Sequence, residues 1–425
     1  MENNLDVNNK LNIADKFFIC WSFFIPITTV ILIPSIKMSV LSSIFAYISP
    51  FLVILYLKKV RKKYFYDLVK FAYIYMLFVI ISQFSNSIIY ISLNNVTLVP
   101  SDQEISVNVF RYTLINQTLY ILPGILTLYY VKYFYNKKWN KWIVYSGLLI
   151  AIYALYKWGY FIIFGEDGDF LTNKVYNDLN KEELGGSGYL FQLINIGGVV
   201  MQRVQGLSGE PSMYAFTILP YFIFAIQKNV NKLYIFIIGI SMILSMSTTV
   251  YIGMVLYFII LCLYGKIKKK YLVLFILLNI IVYIIFKDFI DDIVMYMIID
   301  KLFYTQNSLS GEDRSFALFS SFYYWLDLDI IHMLFGIGYG YIRSLDFFTT
   351  LLVNVGLIGT IIFCYFILKE IKWKTSLFEE INNNAIIICS FVSLMIAVPE
   401  VWFPSFWLFI GIVKNMNIKN KYFND

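Results

Sequence analysis

Histidine is nearly missing from this 425-residue chain, which has one, and charged residues make up only 14% of it. A soluble domain carries about 25% charged residues, so the scarcity of charge excludes an ordinary globular protein. Cysteine is scarce too. All four (Cys20, Cys262, Cys364 and Cys389) fall inside or at the edge of apolar runs, which excludes a disulfide framework or a cysteine-based metal site. No internal repeat and no low-complexity tract is present. The chain is instead 59% hydrophobic and 19% aromatic, with a mean hydropathy of +0.69. The net charge of +7 is distributed in a way that argues against nucleic acid as a partner.

Twelve apolar runs approach the roughly 20 residues that a helix needs to cross a bilayer. They are 17–33, 39–57, 71–92, 112–131, 143–164, 212–227, 233–245, 249–264, 271–286, 347–368, 385–398 and 401–413. The pairs 233–264 and 385–413 are short enough to be kinked or partly re-entrant. The predicted fold is an all-α integral membrane protein with about twelve transmembrane helices. Tails at 1–16 and 414–425 flank a polytopic domain, 17–413. No small-residue cleavage site follows the first run, which reads as a retained span.

Charge orients this map. With the N-terminus inside, the cytoplasmic segments hold 24 of the Lys and Arg residues and the outer segments nine. Those nine are Lys37, Arg111, Lys174, Lys181, Arg203, Lys287, Lys301, Arg314 and Arg343; Lys157, inside the fifth span, completes the set. Short loops rich in Lys and Arg stay cytoplasmic, so both termini are expected there. Acidic residues lie the other way, concentrated in two long outer segments, about 165–210 and 287–346. Both carry apolar residues throughout and are expected to be ordered. In the second, Ile290, Ile293, Val294, Met297, Ile298 and Leu302 recur at helical spacing, which predicts a helix in the interface plane. Another helix is expected from Glu312 to about Trp325, with Ser310 and Asp313 as a capping box and Arg314 in its first turn.

The stretch Arg203-Val204-Gln205-Gly206-Leu207-Ser208-Gly209-Glu210-Pro211-Ser212 gathers a cation, two glycines and a carboxylate at the mouth of a span. Pro211 suits a first helical turn, and the free N–H groups there favour an anion. Arg203, Arg314 and Arg343 offer guanidinium forks for phosphate oxygens, and Glu210 can accept a proton. The glycines of Gly336-Ile337-Gly338-Tyr339-Gly340 follow no strand, so they predict a tight turn that brings backbone to a ligand, not a dinucleotide site. Asp327-Leu328-Asp329 has a metal-binding spacing but no supporting ligands, and reads as a solvated helix end. His332 lies near the membrane edge. Within the spans Gln83, Asn86, Asn116, Gln117 and Asn354 are expected to bond to neighbouring helices. Lys157 is expected to snorkel or pair with an acid.

These motifs resemble a known family. Arg203 to Ala215 (RVQGLSGEPSMYA) is similar to the arginine–glycine–Glu-Pro-Ser segment that opens a span in the O-antigen and capsular polysaccharide polymerases. Arg314, the Ile331–Gly340 turn and Leu351–Gly359 resemble the second outer loop of that family, which also includes the O-antigen ligases. Met333 replaces a common proline. Asp346 and Phe347 stand where the ligases carry a second histidine, which favours the polymerase branch. The resemblance implies a metal-independent glycosyltransferase without cofactor, in a bacterial plasma membrane, acting on polyprenyl-diphosphate-linked oligosaccharide at the outer face. It implies a flippase and a chain-length regulator as partners. Arg203 and Arg314, joined by Arg343, would hold the diphosphate, and Glu210 would activate the acceptor. His332 and Gly338 would contact substrate. The alternatives are a ligase-type transferase and a lipid-linked oligosaccharide flippase. A metal-dependent oligosaccharyltransferase would need acids in the first outer loop, and Pro34 to Met38 contains none.

Overall fold

Long apolar segments must satisfy their backbone groups internally, and the helix does this within one segment. A computed structural model describes residues 11–34, 36, 38–56, 58–91, 93, 109–174, 192–196, 199–267, 309–397 and 401–424. Among these the helices are α1 (Ile13–Phe24), α2 (Leu41–Ile54), α3 (Lys58–Ile88), α4 (Tyr112–Phe134), α5 (Asn140–Phe164), α6 (Pro211–Gln227), α7 (Lys232–Ile243) and α8 (Thr248–Leu263). After them come α9 (Leu309–Leu326), α10 (Ile330–Phe335), α11 (Phe347–Leu368), α12 (Phe378–Ala397) and α13 (Pro404–Asn424). One antiparallel hairpin pairs β1 (Leu193–Ile196) with β2 (Val199–Gln202), Leu193 opposite Gln202. The ninth expected span and the interfacial helix expected over 290–302 lie outside the described residues.

The protein is thus helical and membrane-associated. Four of the described helical segments are long and apolar enough to cross a bilayer: Val60–Ile88, Tyr112–Phe134, Lys137–Phe164 and Phe347–Leu368. α2, α6, α7 and α8 are apolar but shorter. α7, with 12 residues, measures about 18 Å, well short of the roughly 30 Å hydrocarbon layer. Its tight turn into α8 is buried at Ser245 and Ser247.

The expected span 17–33 is helical only to Phe24. Pro26 follows, and the amides of Thr28 and Thr29 donate to Leu207 O, at 2.9 and 3.3 Å. Asn173 exchanges two hydrogen bonds with the backbone of Ile31. The segment leaves the helix because loop backbone supplies its partners. The hairpin at 193–202 was not expected either. α9 begins earlier than predicted: Leu309 and Ser310 are already helical, so Ser310 is not the cap and Arg314 falls in the second turn.

The main core is rich in aromatic residues, and a smaller cluster around Leu114, Ile337, Tyr341 and Val353 lies apart from it. Phe18 stacks on Trp139 at 3.8 Å, and Trp21, Trp139 and Trp407 are fully buried. α13 lies along α4, while α12 packs on α6 and α8. α11 is two helices joined at Gly356, whose φ is 69°. A Cβ there would overlap the backbone of Leu334 and Phe335, and one at Gly336 would overlap Asn354 and Val355. The break lets the α10 turn press backbone against backbone.

Candidate functional site

Three polar structures occupy the end of the bundle that carries the loops. The first is the Arg203–Glu210 loop. Arg203 is buried, and its guanidinium donates to Gln192 Oε1 at 2.6 Å, Met246 O at 3.0 Å and Ser245 O at 3.4 Å. It clamps the β-hairpin to the α7–α8 turn, whose last carbonyls lack helical partners. Val204 N donates to Leu244 O, extending the clamp. Glu210 takes the cap position of α6 with Pro211 as its first residue. Its side chain does not cap the helix; Ser212 Oγ donates to Oε2 at 3.4 Å. The carboxylate is thus held at the helix mouth and partly exposed.

The second is built on Lys157. The ammonium is 2% exposed and paired with Asp169 at 2.7 Å and Asp167 at 3.4 Å. Asp169 also accepts from Tyr153 Oη and Thr172 Oγ1, at 2.9 and 2.6 Å. Burial alone would raise the Asp169 pKa, but Lys157 and Thr172 outweigh it and hold the carboxyl below the ordinary 3.8. The segment that follows α5 therefore folds back to neutralise a charge inside a helix.

The third is the loop between α10 and α11. Asp329 caps α10 by accepting from the amides of Ile331 and His332. His332 is fully buried; Nδ1 meets Asp329 Oδ2, and Nε2 donates to Asn86 Oδ1 at 2.9 Å. Both ring nitrogens are engaged within the protein. Burial opposes the Asp329 charge, yet the His332 ring and two amides keep its pKa below 3.8. Asn86 donates to Ile337 O, Gln83 accepts from Tyr341 Oη, and Asn354 exchanges two bonds with Ile342. Gln83, Asn86 and Asn354 thus hold this loop, and Asn86 also bonds a neighbouring helix through His332 of α10. Gly338 has φ 125°, and a Cβ there would meet Tyr341 at 2.7 Å and Gln83 at 2.8 Å. It serves the turn.

This loop closes one end of a cavity of about 260 Å³ that runs between α3, α4, α11 and α13. The walls are Phe71, Ile74, Phe78, Ile121, Ile125, Leu351, Val355 and Phe363, among others. Its lining residues run from Phe347 to Lys369, along both halves of the broken α11. At the loop end it shares Tyr339, Phe347 and Val401 with a smaller cup of about 30 Å³. The cup is lined by Gln117, Tyr120, Gly340, Arg343, Thr350, Asn354 and Trp402. Lys174 lies over the Trp402 ring at 4.3 Å, which brings a second cation beside it. Phe403, next in sequence, packs edge-on against Phe216 of α6.

Arg343, Gly338 and His332 therefore belong to one module, and Arg203 and Glu210 to another. Trp402 and Phe403 lie between the two. Arg314 is on α9, which packs against α11; its side chain lies outside the description. Lys174, Gln117, Tyr120 and Trp402 were missed as site residues, because they come from three distant segments and match no spacing. No protein family, curated protein or solved structure matches the chain.

Proposed function

We propose that the protein is a membrane glycosyltransferase that polymerises polyprenyl-diphosphate-linked oligosaccharide repeat units into a surface polysaccharide on the outer face of the plasma membrane. One observation carries the reading: an apolar groove lined from one end of α11 to the other meets a cup with a guanidinium, an amide and aromatic faces. The donor is a long apolar chain, then a diphosphate, then sugar. The groove suits the chain, Arg343 with Lys174 suits the diphosphate, and Tyr120, Tyr339 and Trp402 suit the sugar. The Arg203–Ser212 and Ile331–Gly340 motifs support the same assignment.

In this mechanism Glu210 takes the proton of the acceptor hydroxyl as its oxygen attacks the anomeric carbon. The bond from that carbon to the diphosphate oxygen breaks, and the lipid diphosphate leaves with the electron pair. Arg343, assisted by Arg314, neutralises the charge that develops. Attack opposite the leaving group inverts the carbon. Arg203 positions the Glu210 loop through its bonds to Gln192 and the α7–α8 turn. His332 and Gly338 shape the cup without touching substrate.

A second reading, a lipid-linked oligosaccharide flippase, is favoured by the length of the groove and the break in α11, since transporters use broken helices. Against it, the amides of Ile337 and Gly338 bond Val353 O and Asn354 O, which leaves those carbonyls occupied rather than open to a coupling ion. The test is expression in a host that lacks its polymerase, followed by analysis of the surface glycan. A ladder lost in Arg343→Ala and Glu210→Gln, with protein still in the membrane, is the expected result. Full-length glycan in both variants removes the reading. Repeats trapped on the cytoplasmic side identify a flippase, and finished polymer left on its lipid identifies a ligase.

A further inference from the structure

The far end of the groove, away from Arg343, is built differently from its walls. Six charged side chains line it: Asp67, Lys70, Lys132, Lys369, Glu370 and Lys414. The two acids are each taken by a lysine. Lys132 pairs with Asp67, and Lys414 with Glu370 at 2.8 Å. Tyr133 Oη and Asn417 Nδ2 add hydrogen bonds to the same carboxylates. Neither Lys70 nor Lys369 forms an ion pair among the described residues, although Lys369 helps hold the Glu370 charge, and both are exposed. Lys369 lies over the rings of Tyr365 and Phe366, at 5.7 and 5.5 Å. Two positive charges are thus left facing one apolar groove. Ile362 of α11 both lines the groove and is exposed, so the groove opens to the outside beside it.

We infer that this end is a binding site for an anionic glycerophospholipid. The phosphate lies between Lys70 and Lys369, and an acyl chain fills the groove along Ile362, Phe363 and Phe71. The argument is one of complementarity. An ammonium pair beside an apolar channel matches a headgroup of one negative charge with attached hydrocarbon. A zwitterionic lipid brings its own cation to the pair and gains nothing from it. The inference shares the groove with the proposed donor site but needs only that the bundle sits in a bilayer, so it stands whether or not the chain polymerises sugars.

The experiment uses the purified full chain in detergent. It is titrated with phosphatidylglycerol or phosphatidylcholine of matched acyl chains, and retained lipid is counted by native mass spectrometry. Each lysine near an anionic headgroup is expected to favour it roughly fivefold, so the pair gives a preference of roughly twenty- to thirtyfold. Lys70→Gln with Lys369→Gln should reduce that preference to about equality, and Lys70→Arg with Lys369→Arg should restore it. Ile362→Trp, which fills the groove without changing charge, should lower retention of phosphatidylglycerol. Equal retention of the two lipids by the wild-type chain overturns the inference. So does an undiminished preference in the double glutamine variant, provided it elutes as a single species, or retained polyprenyl phosphate that phosphatidylglycerol cannot displace.

Discussion

Lys157 shows how one residue sets the course of a loop. A lone ammonium inside an apolar helix is costly, and the chain meets that cost by returning Asp167 and Asp169 to it. Removing the ammonium leaves two acids together without their cation, whereas removing Asp169 leaves Lys157 paired with Asp167. Lys157→Met should therefore destabilise by about 3–5 kcal/mol, read as a lower melting temperature in detergent; Asp169→Asn should cost less, and the double variant should recover part of the Lys157→Met loss. The Asp169 pKa is depressed on folding, so the native state binds fewer protons than the unfolded state near that pKa. The stabilisation is complete above about pH 4 and is lost as pH falls through the folded value. The double variant should lack this acid-sensitive component of the melting curve. His332 and Arg343 separate in the same way. His332→Ala, which strips partners from Asp329 and Asn86, should lower melting temperature and glycan output together. Arg343→Ala should abolish the ladder with protein still inserted in the membrane.

Among the elements, α11 is the decisive one. Its sequence reads as an unbroken apolar run, and its mean hydropathy in the best window, 2.4, is the highest of the four candidate spans. Yet Gly356 carries a left-handed φ and the helix breaks there. Gly356→Ala combines that strained φ with a Cβ overlapping the Leu334 backbone. It is expected to cost about 2 kcal/mol or more and to raise protease sensitivity of the Gly336–Asp346 loop. Gly159→Ala, in regular helix of α5 where an added Cβ meets nothing within 4 Å, serves as the comparison and should leave that loop protected. The early end of α1 has the opposite origin. There the helix stops because Leu207 O and Asn173 offer better partners to residues 28–31.

For the molecule as a whole, charge separates the two ends of the bundle. One end carries Glu166, Arg203, Glu210 and Arg343, and the other Lys70, Lys132, Lys374 and Lys414. The difference follows the positive-inside rule and gives a direct test. With the four native cysteines replaced by serine, Glu166→Cys should react with a membrane-impermeant maleimide in intact cells. Lys374→Cys should react only after permeabilisation. Both positions are exposed, so labelling of both from the same side would overturn the orientation on which the glycosyltransferase reading depends.

The membrane class, the helices and the separation of charge were legible in the residues themselves, because apolar length and lysine placement act locally and need no partner. The Arg203–Glu210 stretch was legible for a similar reason: Pro211 and the residue before it announce a helix start. What Arg203 holds, why α1 ends at Phe24, and why α11 breaks at Gly356 depend on backbone from elsewhere in the chain. The groove and its cup belong to that second kind. Gln117, Lys174, Arg343 and Trp402 are separated by long stretches of sequence, and only the packing of α3, α4, α11 and α13 around one loop brings them to the same wall.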